Sequence, residues 1–314
     1  MMNSQAYNSV KLTTQDGLSI SLYELGGSGP SLLIVHATGF HGRTYLKLAR
    51  QLREYFTVYA IDERGHGDSG APDDLDFSWE GFATDVLCAT KYIEDQFHGS
   101  HDKQGATDND LDLTGDAQKR RSVIGFGHSA GAAALLLAEQ RHPGTFRALY
   151  LYEPVMFPAP EPLGRDPNNF LAVGARRRRE TFTSYDDALN NFLSKGPFAG
   201  LDPEVLNDYV TYGFRQDPAG TVSLKCLRAN EALVYEFGSA HWAFQNLNKV
   251  SCKVVLSCGQ DTNAFGPAII DEFSKRIPNS AVVVEPGLGH FGPLESPLQI
   301  ANSIINSLGR LDSR

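Results

Sequence analysis

With 314 residues, 41% of them hydrophobic and 21% charged, the chain has the make-up of a globular protein large enough for one α/β domain with an insertion, or for two small domains. Twenty-eight basic against thirty-seven acidic residues leave a formal charge of −9, which disfavours nucleic acid and anionic membrane as main partners. The polar start from Met1 to Asn8 lacks the layout of a secretory signal, and no apolar run approaches membrane-spanning length, so a cytoplasmic protein is expected.

Val10–Thr14 and Leu18–Leu25 read as two short strands joined by the turn Gln15-Asp16-Gly17. Ser31–His36 is a continuous apolar run, the pattern of a strand buried on both faces of a parallel sheet. Helical spacing follows over Thr44–Glu54, then a strand at Thr57–Ile61. Trp79–Phe97 predicts a long helix with Phe82, Val86, Ala89, Tyr92 and Ile93 on its apolar stripe. From His98 to Arg121 the periodicity vanishes. That polar stretch reads as a surface insertion, and its aspartates lack the ordered ligand spacing and terminal glutamate of an EF-hand calcium loop.

An apolar run from Val123 ends at Gly127-His128-Ser129-Ala130-Gly131 and reads as the next strand, and the alanine- and leucine-rich helix after it begins at once. Phe146–Tyr152 predicts a strand stopped by Glu153-Pro154. The stretch from about Asn168 to Asn246 has helical character and no buried-strand runs. Strands return at Lys253–Ser257 and Ala281–Glu285, with helices at Gly266–Arg276 and Leu294–Leu308. Strands and helices thus alternate on both sides of a middle block. The expected architecture is α/β: a mostly parallel eight-stranded sheet with helices on both faces and a helical cap inserted after the sixth strand. This divides the chain into a core of residues 1–154 and 247–314 and a cap of residues 155–246.

The four cysteines, Cys88, Cys226, Cys252 and Cys258, have no metal-ligand spacing; Cys88, Cys252 and Cys258 fall within apolar helix or strand patterns and read as reduced core thiols. No metal or organic cofactor is implied.

The segment Gly127-His128-Ser129-Ala130-Gly131 joins a strand to a helix in the pattern G-x-S-x-G. A side chain stands out at such a turn only if the backbone is strained, and the two glycines let strand and helix approach around Ser129. The helix start aims unpaired N–H groups at the place where an oxyanion would form. Two later strand ends carry polar groups, Gly259-Gln260-Asp261-Thr262 and Gly287-Leu288-Gly289-His290. In parallel sheets, functional groups gather at such carboxyl ends. The order is therefore serine, acid, histidine.

On these residues, together with His36-Ala37-Thr38-Gly39 and Asp62-Glu63-Arg64-Gly65-His66-Gly67-Asp68-Ser69, the chain resembles the α/β-hydrolase superfamily over nearly its whole length. The resemblance implies Ser129 as nucleophile, His290 as general base and acid, and Asp261 as its orienting carboxylate. Glu153 is a rival for the acid, because it ends a strand near the nucleophile and some relatives place the acid there. An oxyanion hole is implied from the backbone N–H of Ala130 and of the loop after His36. Thr38 aligns best, but Ala37 stands where the family usually has glycine, and Phe40 is the alternative donor.

His36, His66 and His128 read as structural, and Asp62 and Arg64 as holding the glycine-rich turn. Arg176–Arg179 reads as a solvated helix face. The expected activity is hydrolysis of a small-molecule carboxylic ester through an acyl-enzyme. The alternatives are carbon–carbon hydrolysis of a vinylogous diketone and a non-catalytic small-molecule receptor on the same fold. Dehalogenases and epoxide hydrolases of this fold use a carboxylate nucleophile, so a serine points to acyl carbon. The aromatic residues of the cap, among them Phe182, Phe192, Tyr209 and Phe214, are expected mostly to pack it onto the core.

Overall fold

The computed structural model describes residues 7–101 and 123–309. Its main sheet has eight strands: β1 (Asn8–Thr13), β2 (Ser19–Gly27), β3 (Ser31–Val35), β4 (Thr57–Asp62), β5 (Val123–His128), β6 (Ala148–Tyr152), β10 (Lys253–Gly259) and β11 (Ser280–Glu285), with β7, β8 and β9 lying in the segment between β6 and β10. The order across the sheet is β1-β2-β4-β3-β5-β6-β10-β11. Only the first two pairings, β1 with β2 and β2 with β4, are antiparallel. The rest run parallel, which puts the carboxyl ends of β3, β5, β6, β10 and β11 along one edge of the molecule.

The uncharged strands β3, β5 and β6 are buried at every position, as a sheet covered on both faces requires. Alternation divides their side chains between two cores. Leu32, Ile34, Phe126 and Tyr150 point to the face covered by helices Leu46–Leu52 and Pro297–Leu308. Leu33, Val35, Leu149 and Leu151 point to the other, covered by Trp79–His101, Ala130–Arg141 and Pro267–Ser274.

The segment between β6 and β10 is a cap over one end of the sheet. Its helices are Phe170–Arg176, Tyr185–Leu193, Gly196–Ala199, Pro203–Gly213 and Arg228–Glu236. Asn169, Ser184 and Asp202 cap three of them by accepting a backbone N–H. The cap is not purely helical: β7 (Thr181–Phe182), β8 (Phe214–Gln216) and β9 (Val222–Leu224) form a small antiparallel sheet in the order β7-β9-β8. Phe182, Phe192, Tyr209 and Phe214 pack into one core with Leu46 and Leu48 of the main domain. Ion pairs Lys47–Asp202 at 2.6 Å and Lys225–Asp68 at 2.5 Å tie the cap's flank to the core.

The helix expected to stop at Phe97 runs on to His101. The remainder of the polar insertion, 102–122, with the aspartates weighed as calcium ligands, lies outside the described residues. Among the described residues, no helix is long and apolar enough to cross a membrane. Cys226, Cys252 and Cys258 are buried, and none of the four cysteines is joined in a disulfide.

Candidate active site

Ser129 sits between β5 and the helix Ala130–Arg141 with φ 56° and ψ −113°, a conformation that costs a non-glycine residue energy. The two motif glycines permit it. A Cβ on Gly127 would lie 2.5 Å from the Cα of Ala132, and one on Gly131 would lie 2.6 Å from the carbonyl oxygen of His36. Ser129 does not use its hydroxyl to cap the helix it precedes, so the oxygen is available elsewhere.

That oxygen lies 3.1 Å from Nε2 of His290, and Nδ1 of the same ring lies 2.7 Å from Oε2 of Glu153. A carboxylate only accepts, so Nδ1 carries the proton and Nε2 is left to accept from the serine hydroxyl. The hydroxyl, the imidazole and a carboxylate form one directed relay.

The carboxylate is Glu153, not Asp261. Strand pairing explains why: β5 and β6 are neighbours with His128 opposite Tyr152, so the next residues, Ser129 and Glu153, leave the sheet side by side. Glu153 also has a positive φ, 45°, and its side chain is fully buried. The end of β10 and the loop after it, expected to supply the acid, instead supply donors to Glu153. The Gly259 N–H (3.0 Å) and the Thr262 hydroxyl (2.9 Å) both donate to the Glu153 carboxylate. Asp261 turns outward in this loop, its side chain exposed and its N–H given to the Leu288 carbonyl at 3.0 Å. The sequence signal for Glu153 was its place directly after a strand; that this strand lies next to the one leading to Ser129 is what the sheet order adds.

In the loop after β3, the Ala37 N–H donates to Tyr45 Oη, the Gly39 N–H to His66 Nε2 and the Phe40 N–H to the Ala37 carbonyl, at 3.1 Å in each case. Phe40 is thus spent as a donor. Among the described hydrogen bonds none engages the amides of Thr38 or Ala130, whose residues are 8% and 3% exposed.

The motif histidines take hydrogen-bonding positions. His36 accepts the Glu63 N–H at Nε2 (3.0 Å), and His66 bridges the Arg64 carbonyl and Gly39. Burial pushes them down to about 4 and about 3, so both are neutral at ordinary pH. Asp62 accepts from Gly42 N–H (2.8 Å), Asp68 N–H (2.7 Å) and Tyr23 Oη (2.6 Å), and Arg64 pairs with buried Asp85 at 2.7 Å. These bonds fix the glycine-rich turn beside the loop after β3.

The four-arginine run is not one solvated face. Arg176 pairs with Glu236 and Arg179 with Asp187, but Arg178 turns inward, bonding Glu231 and, at 2.6 Å, Tyr209 Oη. Glu231 lies so close to Gly39 that a Cβ there would come within 2.7 Å of its Oε1. A cap ion pair therefore abuts the loop after β3. Tyr209 continues the contact: its carbonyl accepts from His41 Nε2 at 3.1 Å, and its ring lies 5.3 Å from that of Phe40. Phe40 packs on Phe291, which packs on His290. Beneath this cover Ser129 is 7% exposed.

A doubly wound sheet, a strained serine between strand and helix, a carboxylate from the end of the adjacent strand β6 and an imidazole from the loop after β11 together define a hydrolase-type fold and candidate site. The chain belongs to the alpha/beta hydrolase family, whose model matches residues 32–303. It is similar to a fluoroacetate dehalogenase of a Burkholderia species, 27% identical over 281 residues that make up 85% of this chain and 83% of that protein. It is also similar to protein phosphatase methylesterase 1 of Debaryomyces hansenii, 24% identical over 306 residues, 91% of this chain and 70% of the relative. Among solved structures, E-2-(acetamidomethylene)succinate hydrolase superposes with a TM-score of 0.74 at 19% identity, over 96% of this chain and 98% of that one. A thermophilic esterase from Thermogutta terrifontis does so with 0.66 at 18% identity, over 96% and 98% of the two chains. These structural likenesses establish the shared fold.

Proposed function

We propose that this protein is a serine hydrolase that cleaves a small-molecule carboxylic ester through an acyl-enzyme on Ser129. One observation carries the reading: the unbroken relay from the Ser129 hydroxyl through His290 to buried Glu153. His290 takes the serine proton as the oxygen attacks the carbonyl carbon, then returns it to the leaving alcohol; Glu153 holds the ring's tautomer and stabilises the imidazolium. The amides of Thr38 and Ala130, free of protein acceptors, receive the developing oxyanion, each worth on the order of 3 kcal/mol of barrier. Water then attacks the acyl-enzyme by the same base.

The names of the methylesterase and esterase relatives agree with acyl carbon. The dehalogenase name does not transfer. Serine displacing halide from saturated carbon would leave an ether, which no second step with water releases, whereas an acyl-serine is an ester that water cleaves. The test is labelling of the full chain with a fluorophosphonate probe followed by peptide mapping. Modification at Ser129, lost in His290→Ala, is the expected result, together with turnover of p-nitrophenyl esters. Absence of labelling on the wild-type protein would overturn the reading and favour a receptor.

A further inference from the structure

Two consecutive carbonyls of the histidine loop are held by side chains that the relay itself does not use. Nε2 of His128 lies 2.9 Å from the carbonyl oxygen of His290, and Oη of Tyr152 lies 2.6 Å from that of Gly289. His128 is the residue before the nucleophile and Tyr152 the residue before the acid. They are register partners across β5 and β6, and their rings meet edge to face at 5.7 Å. Both are fully buried.

The proton positions follow from the partners. A carbonyl only accepts, so the His128 proton sits on Nε2, and Nδ1 is left to accept. Its donor is the Tyr45 hydroxyl at 2.8 Å, whose oxygen in turn accepts the Ala37 N–H of the oxyanion loop at 3.1 Å. Every donor in the sequence Ala37 N–H, Tyr45 O–H, His128 Nε2–H points the same way, and aligned bonds of this kind reinforce one another. Burial keeps His128 neutral by holding its imidazole well below the ordinary range, so the arrangement survives across ordinary pH. A positive charge at His128 would also lie beside His290, whose ring centroid is 5.3 Å away.

We propose that His128, Tyr152 and Tyr45 are positioning residues, which clamp the backbone of the His290 loop from the nucleophile's strand and from the acid's strand and tie that clamp to the oxyanion loop. This rests on the serine-hydrolase reading. The imidazole has to meet Ser129 on one side and Glu153 on the other, and a shift of its loop spoils both bonds together. Holding the two carbonyls from the residues adjacent to those very partners opposes movement in either direction. The strand that sets the position of the serine thus also sets the position of its base.

The experiment is kinetic, on the full chain, with p-nitrophenyl acetate as substrate and a fluorophosphonate as the probe of Ser129. Tyr152→Phe removes one bond and no volume. It is expected to lower kcat, and the labelling rate with it, by on the order of 10–100-fold, while KM moves less than about threefold. Tyr45→Phe, at the far end of the chain of bonds, is expected to show the same split with a smaller loss, and it carries the test should Tyr152→Phe fail to fold. His128→Gln keeps a donor and is expected to recover at least about tenfold over His128→Leu. The deciding comparison places Tyr152→Phe in a His290→Ala background: acting through His290, it should leave the residual rate within about twofold.

The inference is overturned if Tyr152→Phe and Tyr45→Phe keep the wild-type kcat, or if the double variant with His290→Ala loses the same factor again. Failure of the underlying reading looks different, because then the wild-type protein itself takes no label at Ser129.

Discussion

A carboxylate shut away from water must find its donors inside the protein, and Glu153 finds them in two places: the Gly259 amide at the end of β10 with the Thr262 hydroxyl just after it, and the His290 ring. Replacing it with glutamine keeps the volume but sets an NH2 group against one or more of those donors, so the imidazole loses both its tautomer and its support. Glu153→Gln is therefore expected to lower kcat for ester hydrolysis by about 10³–10⁴-fold. Asp261→Asn, on an exposed side chain, should stay within about twofold of wild type. Steady-state rates, with the thermal midpoint as a control for folding, decide between them; equal losses would return Asp261 to the relay. Ser129 was legible because steric need spells it out: two glycines must flank a strained residue. His290 was legible as the histidine at a strand end after both candidate acids. The carboxylate that meets its ring was not, since Asp261 and Glu153 both follow strands. What separates them is the sheet order and one outward turn, neither written in local composition.

Elements that bury every residue announce themselves, and those that bury one or two do not. Strands β3, β5 and β6 were readable as uncharged runs, whereas β7, β8 and β9 are two or three residues long, too short for any alternation to register. The helix from Trp79 was cut short at Phe97 because polar residues without an apolar stripe can still continue a helix to His101. The tight turn at Ser129, an elbow between β5 and the helix Ala130–Arg141, is where sequence and packing agree most closely, and it gives the sharpest mechanical expectation. The helix Ala130–Arg141 approaches β3 so closely at Gly131 that a Cβ there would sit 2.5 Å from the carbonyl carbon of Val35 and 2.6 Å from the oxygen of His36. Both obstacles are backbone and cannot rotate away. Gly131→Ala should thus push the helix from the sheet, at a cost of about 1–3 kcal/mol. The accompanying sign is slower fluorophosphonate labelling, because the Ala130 amide moves with the helix. An unchanged midpoint and labelling rate would show that the elbow relaxes more freely than its contacts imply.

For the molecule as a whole, burial has been applied to titratable groups of both kinds, and the two sets pull stability in opposite directions with pH. Burial pushes His36, His41 and His241 down to about 4 and His66 to about 3, and holds His128 well below the ordinary range. Unfolding returns these five to an ordinary imidazole near 6.5, so below that pH the unfolded chain takes up protons that the folded one refuses, and stability falls as pH drops from about 6.5 toward 4. The carboxyls act the other way. Burial raises Asp208 to about 7, and raises Glu63, neither of whose oxygens meets a hydrogen-bond partner among the described residues, and Asp85. The folded chain keeps these protons and unfolding releases them, so their contribution is lost as pH rises from about 4 through the folded value. Near pH 5 the five histidines outweigh at most three acids, a net uptake of at least two protons, or about 3 kcal/mol per pH unit. Above 6.5 the histidine contribution is exhausted and the acids remain, which sets the maximum of stability close to pH 7. Calorimetric midpoints from pH 4.5 to 8.5 should trace this asymmetric curve, steep on the acid side and shallow on the alkaline. Asp208 lies on the cap helix Pro203–Gly213, whose Asp202 pairs with Lys47 of the core. Asp208→Asn removes one of the acids that oppose the histidines, so it should steepen the acid limb, its gain over wild type growing as pH rises from about 4 to about 7 and levelling off above. A midpoint that is level between pH 5 and 7 would mean that the buried imidazoles are solvated in the folded chain, and the closed packing under the cap would have to be given up with them.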